Sequence, residues 1–304
     1  MKIVFFGTPE FAATSLEEIV KSGIEVSLVV TSVDKPAGRG QKIQQSAVKM
    51  KALELGLPIA QPKNLKDETF VNEIRELGVD LGVVIAFRML PEVIWAAPPL
   101  GTINLHASLL PDYRGAAPIQ HAIIQGESKT GVTTFFLKHE IDTGDIIKSE
   151  VVGITDTDTG GSLQDKLMYT GAKLMVESLN EIEKFREHTP TINQNKVEST
   201  KIAPKINREF CKIDLNEPAK NIHNKIRGLS PYPGAWIESK WGDVKLLESQ
   251  ILEEQSSDSE SGLCIVDKRV LLGTTDNFLE ITKLQPAGRG KISSIDFING
   301  QKNI

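Results

Sequence analysis

The segment Thr102-Ile103-Asn104-Leu105-His106 sets a carboxamide and an imidazole two residues apart. Side chains alternate between the faces of an extended strand, so Asn104 and His106 point one way and Ile103 and Leu105 the other. A carboxamide N–H can donate to the oxygen of a tetrahedral intermediate, and an imidazole can take or relay a proton near neutral pH, so the pair suits acyl transfer. A third group is needed to orient the imidazole. The turn Ile141-Asp142-Thr143-Gly144-Asp145 offers two carboxylates, and spacing alone does not choose between Asp142 and Asp145. Ser108 raises a serine-hydrolase alternative, but no Gly-x-Ser-x-Gly elbow exists and Ser108 runs into Leu109-Leu110-Pro111 rather than into a helix. The histidines His106, His121, His139, His188 and His223 have no paired ligand spacing, so no metal is expected. Neither a Gly-x-Gly-x-x-Gly fingerprint nor a phosphate-binding Gly-x-x-x-x-Gly-Lys loop occurs, which removes the main support for nicotinamide or ATP chemistry.

The elements that must position these residues follow from hydrophobic periodicity. Short apolar runs at 2–7, 25–31, 58–61, 79–87, 102–106, 131–138 and 146–154 alternate with helical patterns at 9–22, 46–55, 64–77, 116–125 and 162–186. That alternation predicts an α/β fold of βαβ units around a mainly parallel sheet, whose ligands sit at the carboxyl ends of the strands. The stretch 189–204, rich in Thr, Asn, Lys and Pro, reads as a linker. Beyond it one helix at 218–228 precedes short strands at 234–238, 244–250, 262–266, 270–273 and 278–284, the pattern of a small β-barrel.

The chain has 304 residues, about two domains' worth, with 40% hydrophobic and 25% charged residues, so packed cores rather than disorder are expected. Cys211 and Cys264 stand far apart, which indicates neither a disulfide framework nor a thiolate metal site and fits a reducing cytoplasm. No apolar run approaches a membrane span. A net charge of −5 argues against non-specific coating of nucleic acid, yet the segment from Lys196 to Arg227 carries eight basic against four acidic residues, where a polyanion could dock. The turn Pro36-Ala37-Gly38-Arg39-Gly40 is echoed by Pro286-Ala287-Gly288-Arg289-Gly290, placing two arginines on flexible turns.

Asn104 with His106, Ser108-Leu109-Leu110-Pro111, Tyr113-Arg114-Gly115-Ala116-Ala117-Pro118-Ile119-Gln120 and Asp142-Thr143-Gly144-Asp145 together resemble the folate-dependent formyltransferases. Phe6-Gly7-Thr8-Pro9-Glu10-Phe11, the loop from Asp34 to Gly40 and Leu284-Gln285-Pro286-Ala287-Gly288 extend the likeness over nearly the whole chain and point to members acting on charged tRNA. The resemblance implies a catalytic trio of Asn104, His106 and Asp142, and a folate site at Ser108, Leu109, Leu110 and Pro111 with Phe87. It implies a Rossmann-like domain over 1–188, a linker over 189–204 and an OB-like tRNA-binding barrel over 205–304. The implied reaction moves a formyl group from 10-formyltetrahydrofolate, a co-substrate, to the α-amine of methionine on initiator tRNA, in a monomeric bacterial cytoplasmic protein without a metal. Arg39 and Lys42 on the first loop, Lys205 and Arg208 in the basic segment, and Arg289 are the tRNA contacts expected on this likeness. One departure is Ala86-Phe87-Arg88-Met89-Leu90, where many relatives have Ala-Tyr-Gly followed by aliphatics, so Arg88 brings a cation to the edge of the pterin pocket. A sugar-nucleotide formyltransferase, a hydrolase of the formyl-folate and a non-catalytic RNA-binding module are the alternatives; the last leaves Asn104 and His106 without a role.

Overall fold

A computed structural model describes residues 1–37, 42–194, 201–255 and 262–301. The chain opens with β1 (Lys2–Gly7), α1 (Glu10–Lys21), β2 (Glu25–Val30), the short pair β3 (Lys35–Ala37) and β4 (Lys42–Gln44), α2 (Ala47–Glu54) and β5 (Ile59–Ala60). It continues through α3 (Glu68–Glu76), β6 (Leu81–Ile85), α4 (Glu92–Trp95), β7 (Thr102–His106), β8 (Arg114–Gly115), α5 (Pro118–Ile124), β9 (Lys129–Phe136), β10 (Ile146–Gly153) and α6 (Gly160–Phe185). After β11 (Ile202–Ala203) come α7 (Ala219–Leu229), β12 (Ala235–Ser239), β13 (Gly242–Gln255), β14 (Gly262–Val266), β15 (Arg269–Gly273), β16 (Asn277–Pro286), β17 (Ile292–Ser293) and α8 (Ser294–Gln301). Two compact units result: Met1–Gly115 with Gly131–Val152 and Asp165–Ile202, and Ala116–Thr130 with Gly153–Gln164 and Ala203–Ile304.

In the first unit seven strands form one sheet in the order β10-β9-β7-β6-β1-β2-β5. The pairs β1–β2, β1–β6, β2–β5 and β6–β7 are parallel and β7–β9 is antiparallel. β1 and β6 are near-continuous apolar runs because helices cover both faces of the sheet centre, and Ile3, Phe5 and Leu81 are fully buried. One face packs Val4, Phe6, Leu28 and Val84 against Phe70, Val71 and Ile74 of α3 and Ile94 of α4. Asp67 caps α3 by accepting the amides of Thr69 and Phe70, and Ser46 caps α2 by accepting that of Lys49. The polar strand β7 is thereby held on both edges: Asn104 pairs with Val84 of β6 and Phe135 of β9, and His106 with Thr133 of β9.

In the second unit an antiparallel sheet runs β12-β13-β16-β15-β14, with β17 on β16, consistent with an OB-like fold. The apolar face of α7, Ile222, Ile226 and Leu229, covers Ile237, Val244, Leu246 and Ile281 of the sheet. Gly228 lets α5 approach α7, since a Cβ there would lie 2.8 Å from Ile124 Cγ1 and 3.2 Å from the Gln120 carbonyl. α8, β17 and the β3–β4 pair lie outside the elements expected from periodicity. Each is too short, or too mixed in its pattern, to announce itself.

Close approach at one glycine joins sheet and site. A Cβ on Gly131 of β9 would fall 2.1 Å from the Glu150 carbonyl and 2.5 Å from Leu109 Cδ2. Gly131→Ala is therefore expected to cost about 1–3 kcal/mol by overpacking, seen as a lower urea midpoint at unchanged m-value. A midpoint equal to wild type would show that β9 and β10 have slack here.

Candidate active site

The strand register does what the alternation of side chains demands. Asn104 and His106 share one face near the carboxyl end of β7, with Ile103 and Leu105 buried on the other. The imidazole is 7% exposed, whereas the Asn104 carboxamide is half-buried and takes no hydrogen bond from the described residues. That amide is open to solvent on one side and free to donate to a bound group.

His106 is fixed from two sides. Its Nε2 lies 3.0 Å from the Tyr113 carbonyl, which can only accept, so Nε2 carries the proton. Tyr113 adopts φ 60°, and its own amide donates to the Lys201 carbonyl at 2.8 Å, so that backbone turn is held from behind. The opposite edge, Nδ1, faces Asp142 Oδ2 at 3.8 Å. That distance is too long for a hydrogen bond but close enough for an ion pair once Nδ1 is protonated. Asp142 is held in turn: it sits at φ 56°, and its Oδ2 accepts the Gly115 amide at 3.0 Å. The geometry separates the two carboxylates that spacing left open, because Asp145 pairs instead with Lys138 at 3.0 Å. The Tyr113 carbonyl holds one edge of the ring, and the Asp142 carboxylate lies on the other.

The Ser108-Leu109-Leu110-Pro111 turn is built inward. Ser108 is fully buried, its hydroxyl donates to the Asp112 carbonyl at 2.6 Å, and its carbonyl accepts from Thr133 Oγ1 at 2.7 Å. A hydroxyl spent in this way is no nucleophile, which removes the serine-hydrolase alternative. Leu110 packs with Phe135 and Ile146, while Leu109 and Pro111 keep partly exposed flanks. Phe87 packs beside Phe6, with ring centroids 6.0 Å apart. The Arg88 guanidinium lies 5.6 Å from the Phe87 ring and donates to the carbonyls of Pro62 and Lys63. Next to it opens a cleft of about 860 Å³ walled by Lys63, Arg75, Arg88, Met89 and Val93 among others; none of Asn104, His106 and Asp142 lines it.

The cations expected to meet tRNA fall into different surroundings. Arg39 lies outside the described residues, as does the side chain of Lys42. Lys205 is exposed with no ion-pair partner among the described residues, and Arg289 is exposed on its turn. Arg208 stacks 4.6 Å from the Trp236 ring and pairs with Asp243 at 2.6 Å; Lys212, on the same ring, pairs with Glu238. Arg227, counted in the basic segment, is no surface charge. It is 7% exposed and donates to Asn224 Oδ1 and to the carbonyls of Thr155 and Asp158, and burial pushes its guanidinium below its usual range. Among the described residues no cluster of His, Cys, Asp and Glu could hold a metal, and no helix is long and apolar enough to cross a membrane.

Comparison with known proteins identifies the family. A Formyl transferase family model matches residues 1–179 and the Formyl transferase, C-terminal domain model matches residues 205–302. The chain is 47% identical to the methionyl-tRNA formyltransferase of Azobacteroides pseudotrichonymphae over 98% of its own length and 95% of the relative's. Among solved structures it is similar in fold to an N-formyltransferase from Helicobacter canadensis in complex with folinic acid and dTDP-3-aminofucose: TM-score 0.69, 20% identity, 96% of this chain and 100% of that one. It also matches HypX from Aquifex aeolicus, with TM-score 0.69 at 18% identity, over 100% of its own length but only 48% of that larger chain. By the matched models and the near full-length likeness, the chain belongs to the formyl transferase family.

Proposed function

We propose that this protein transfers the formyl group of 10-formyltetrahydrofolate to the α-amine of methionyl initiator tRNA, giving the N-formylmethionyl-tRNA used to start translation. The observation that carries the reading is the pairing of an unpartnered Asn104 carboxamide with a His106 ring whose Nδ1 edge faces Asp142, in a chain similar throughout to proteins named methionyl-tRNA formyltransferase. The folate supplies an activated one-carbon unit. The partly exposed Leu109, Pro111 and Phe87 offer its flat ring apolar contacts, and Arg88 and Lys63, which line the neighbouring cleft, offer its carboxylates cations.

The roles follow from which atoms are free. As the amine attacks the formyl carbon, a C–N bond forms and the carbonyl oxygen becomes an oxyanion; Asn104 donates to it, strongest in the transition state. The amine must shed one proton and the departing folate nitrogen must gain one. His106 can carry a proton only on Nδ1, because Nε2–H is committed to Tyr113, and the resulting imidazolium is balanced by Asp142. Burial of the ring keeps water from competing with the amine. On the second unit, Lys205, Arg208 and Arg289 are proposed to meet the tRNA backbone, with Arg39 and Lys42 reaching the acceptor arm. The reading extends to a monomer working in the bacterial cytoplasm.

The direct test is incubation with the formyl-folate and charged initiator tRNA, assayed for N-formylmethionine beside an amino-sugar nucleotide and a reaction without acceptor. Preference for the amino sugar, or formate release without acceptor, would replace the proposal with one of its rivals. Asn104→Ala should lower kcat by roughly 10²–10³ with little change in folate affinity, and a few-fold effect would remove the oxyanion role. Asp142→Asn should cost far more than Asp145→Asn, since only Asp142 faces the ring; equal losses would contradict that assignment. In a salt series, Lys205→Ala should reduce the salt slope of tRNA binding by about one unit. Arg208→Ala should reduce it by less, because Asp243 already balances that charge. Identical slopes for the two variants would speak against the surface.

A further inference from the structure

A buried glutamine in the stretch 189–204 touches both segments that hold Asp142 in place. Gln194 is 1% exposed. Its Nε2 donates to the Gly144 carbonyl at 2.6 Å, and its Oε1 accepts from Arg114 Nε at 3.2 Å and Nη2 at 2.7 Å. Gly144 lies in the turn that carries Asp142. Arg114 precedes Gly115, whose amide donates to Asp142 Oδ2. One carboxamide thus ties the main chain of the turn that bears the carboxylate to the side chain of Arg114, the residue before the Gly115 amide that grips it.

The surroundings make this link stiff. Just upstream, Ile192 exchanges both backbone hydrogen bonds with Ile146 at 2.8 Å, anchoring the segment where β10 begins. The far side of the turn cannot give, because a Cβ on Gly144 would lie 1.5 Å from the Phe136 carbonyl. A buried amide making three hydrogen bonds has specific geometry and a high cost of misplacement. The separation of His106 and Asp142, 3.8 Å, lies where an ion pair is sensitive to small shifts, and errors of about 1 Å in catalytic placement cost on the order of 10²-fold.

We propose that Gln194 is a positioning residue for the formyl transfer: through Gly144 and the Arg114-Gly115 bridge it sets the distance of the Asp142 carboxylate from His106 Nδ1. The inference rests on the assignment of Asp142 to the His106 counter-charge. Gln194 touches no reacting atom, so its loss should appear in kcat and not in folate KM.

The test is a double-mutant cycle read by steady-state formylation of charged initiator tRNA. Gln194→Met keeps volume and removes all three hydrogen bonds; it should lower kcat about 10- to 100-fold with folate KM within about threefold of wild type. In an Asp142→Asn background the same change should cost less than about threefold, because the distance it sets no longer matters. A purely structural glutamine would instead depress both backgrounds equally. Should Gln194→Met fail to fold, Gln194→Glu keeps the acceptor for Arg114 but cannot donate to Gly144 as a carboxylate, and the same pattern is expected of it. An Asp142→Asn variant that works near the wild-type rate sinks the counter-charge assignment and this proposal with it. An impaired Asp142→Asn with an additive or silent Gln194 change sinks the proposal alone.

Discussion

The bond between His106 Nε2 and the Tyr113 carbonyl constrains the rest of the site. A carbonyl has no proton to give, so this contact settles which ring nitrogen is protonated and leaves Nδ1 as the edge that can change its proton. From there the remaining geometry follows. Asp142 is useful only on the Nδ1 side, its left-handed backbone at φ 56° turns it there, and the Gly115 amide keeps it from swinging away. The orienting group that the sequence led one to seek in a carboxylate is divided here between two groups. A backbone carbonyl holds the Nε2 edge, and a carboxylate lies 3.8 Å from the Nδ1 edge.

Such a division asks much of the sheet. β7 carries the polar pair in the interior of a seven-stranded sheet, paired on both edges, so the two side chains cannot shift along or across it. The turn after it uses buried Ser108 and Leu110 to place the chain for Tyr113, and the backbone of Lys201 holds Tyr113 from the other side. In the second unit the same economy places charge: Arg208 and Lys212 lie on the Trp236 ring with acidic partners, while Arg227 is drawn inside to hold the loop at Thr155 and Asp158. Charge counted along a sequence overstates charge on a surface when an arginine's work is internal.

Much of this was legible in the residues themselves. Alternation along 102–106 placed Asn104 and His106 on one face, and apolar runs gave β1 and β6 within about two residues, because strands buried on both faces leave a near-unbroken hydrophobic signature. The choice between Asp142 and Asp145 was not legible, since it depends on which carboxylate the positive φ at Asp142 turns inward and which one Lys138 claims. Tyr113 acts through its carbonyl, which every residue possesses, so its side-chain identity gave no hint. Gln194 sits among Thr, Asn and Lys with no periodicity; only three-dimensional proximity to Gly144 and Arg114 reveals it. Hydrophobic patterning reports cores well, but it does not report main-chain acceptors or single buried amides.

At the centre of the site, Tyr113 holds His106 by Nε2–H and leaves Nδ1 facing Asp142. Nitrogen-15 NMR of the imidazole, in protein labelled at histidine and assigned with His106→Gln, reads this directly. The expected result is a neutral His106 in the Nε2–H tautomer, with Nδ1 showing the large shift of an unprotonated nitrogen. A neutral ring protonated on Nδ1, or one exchanging freely between tautomers, would contradict it.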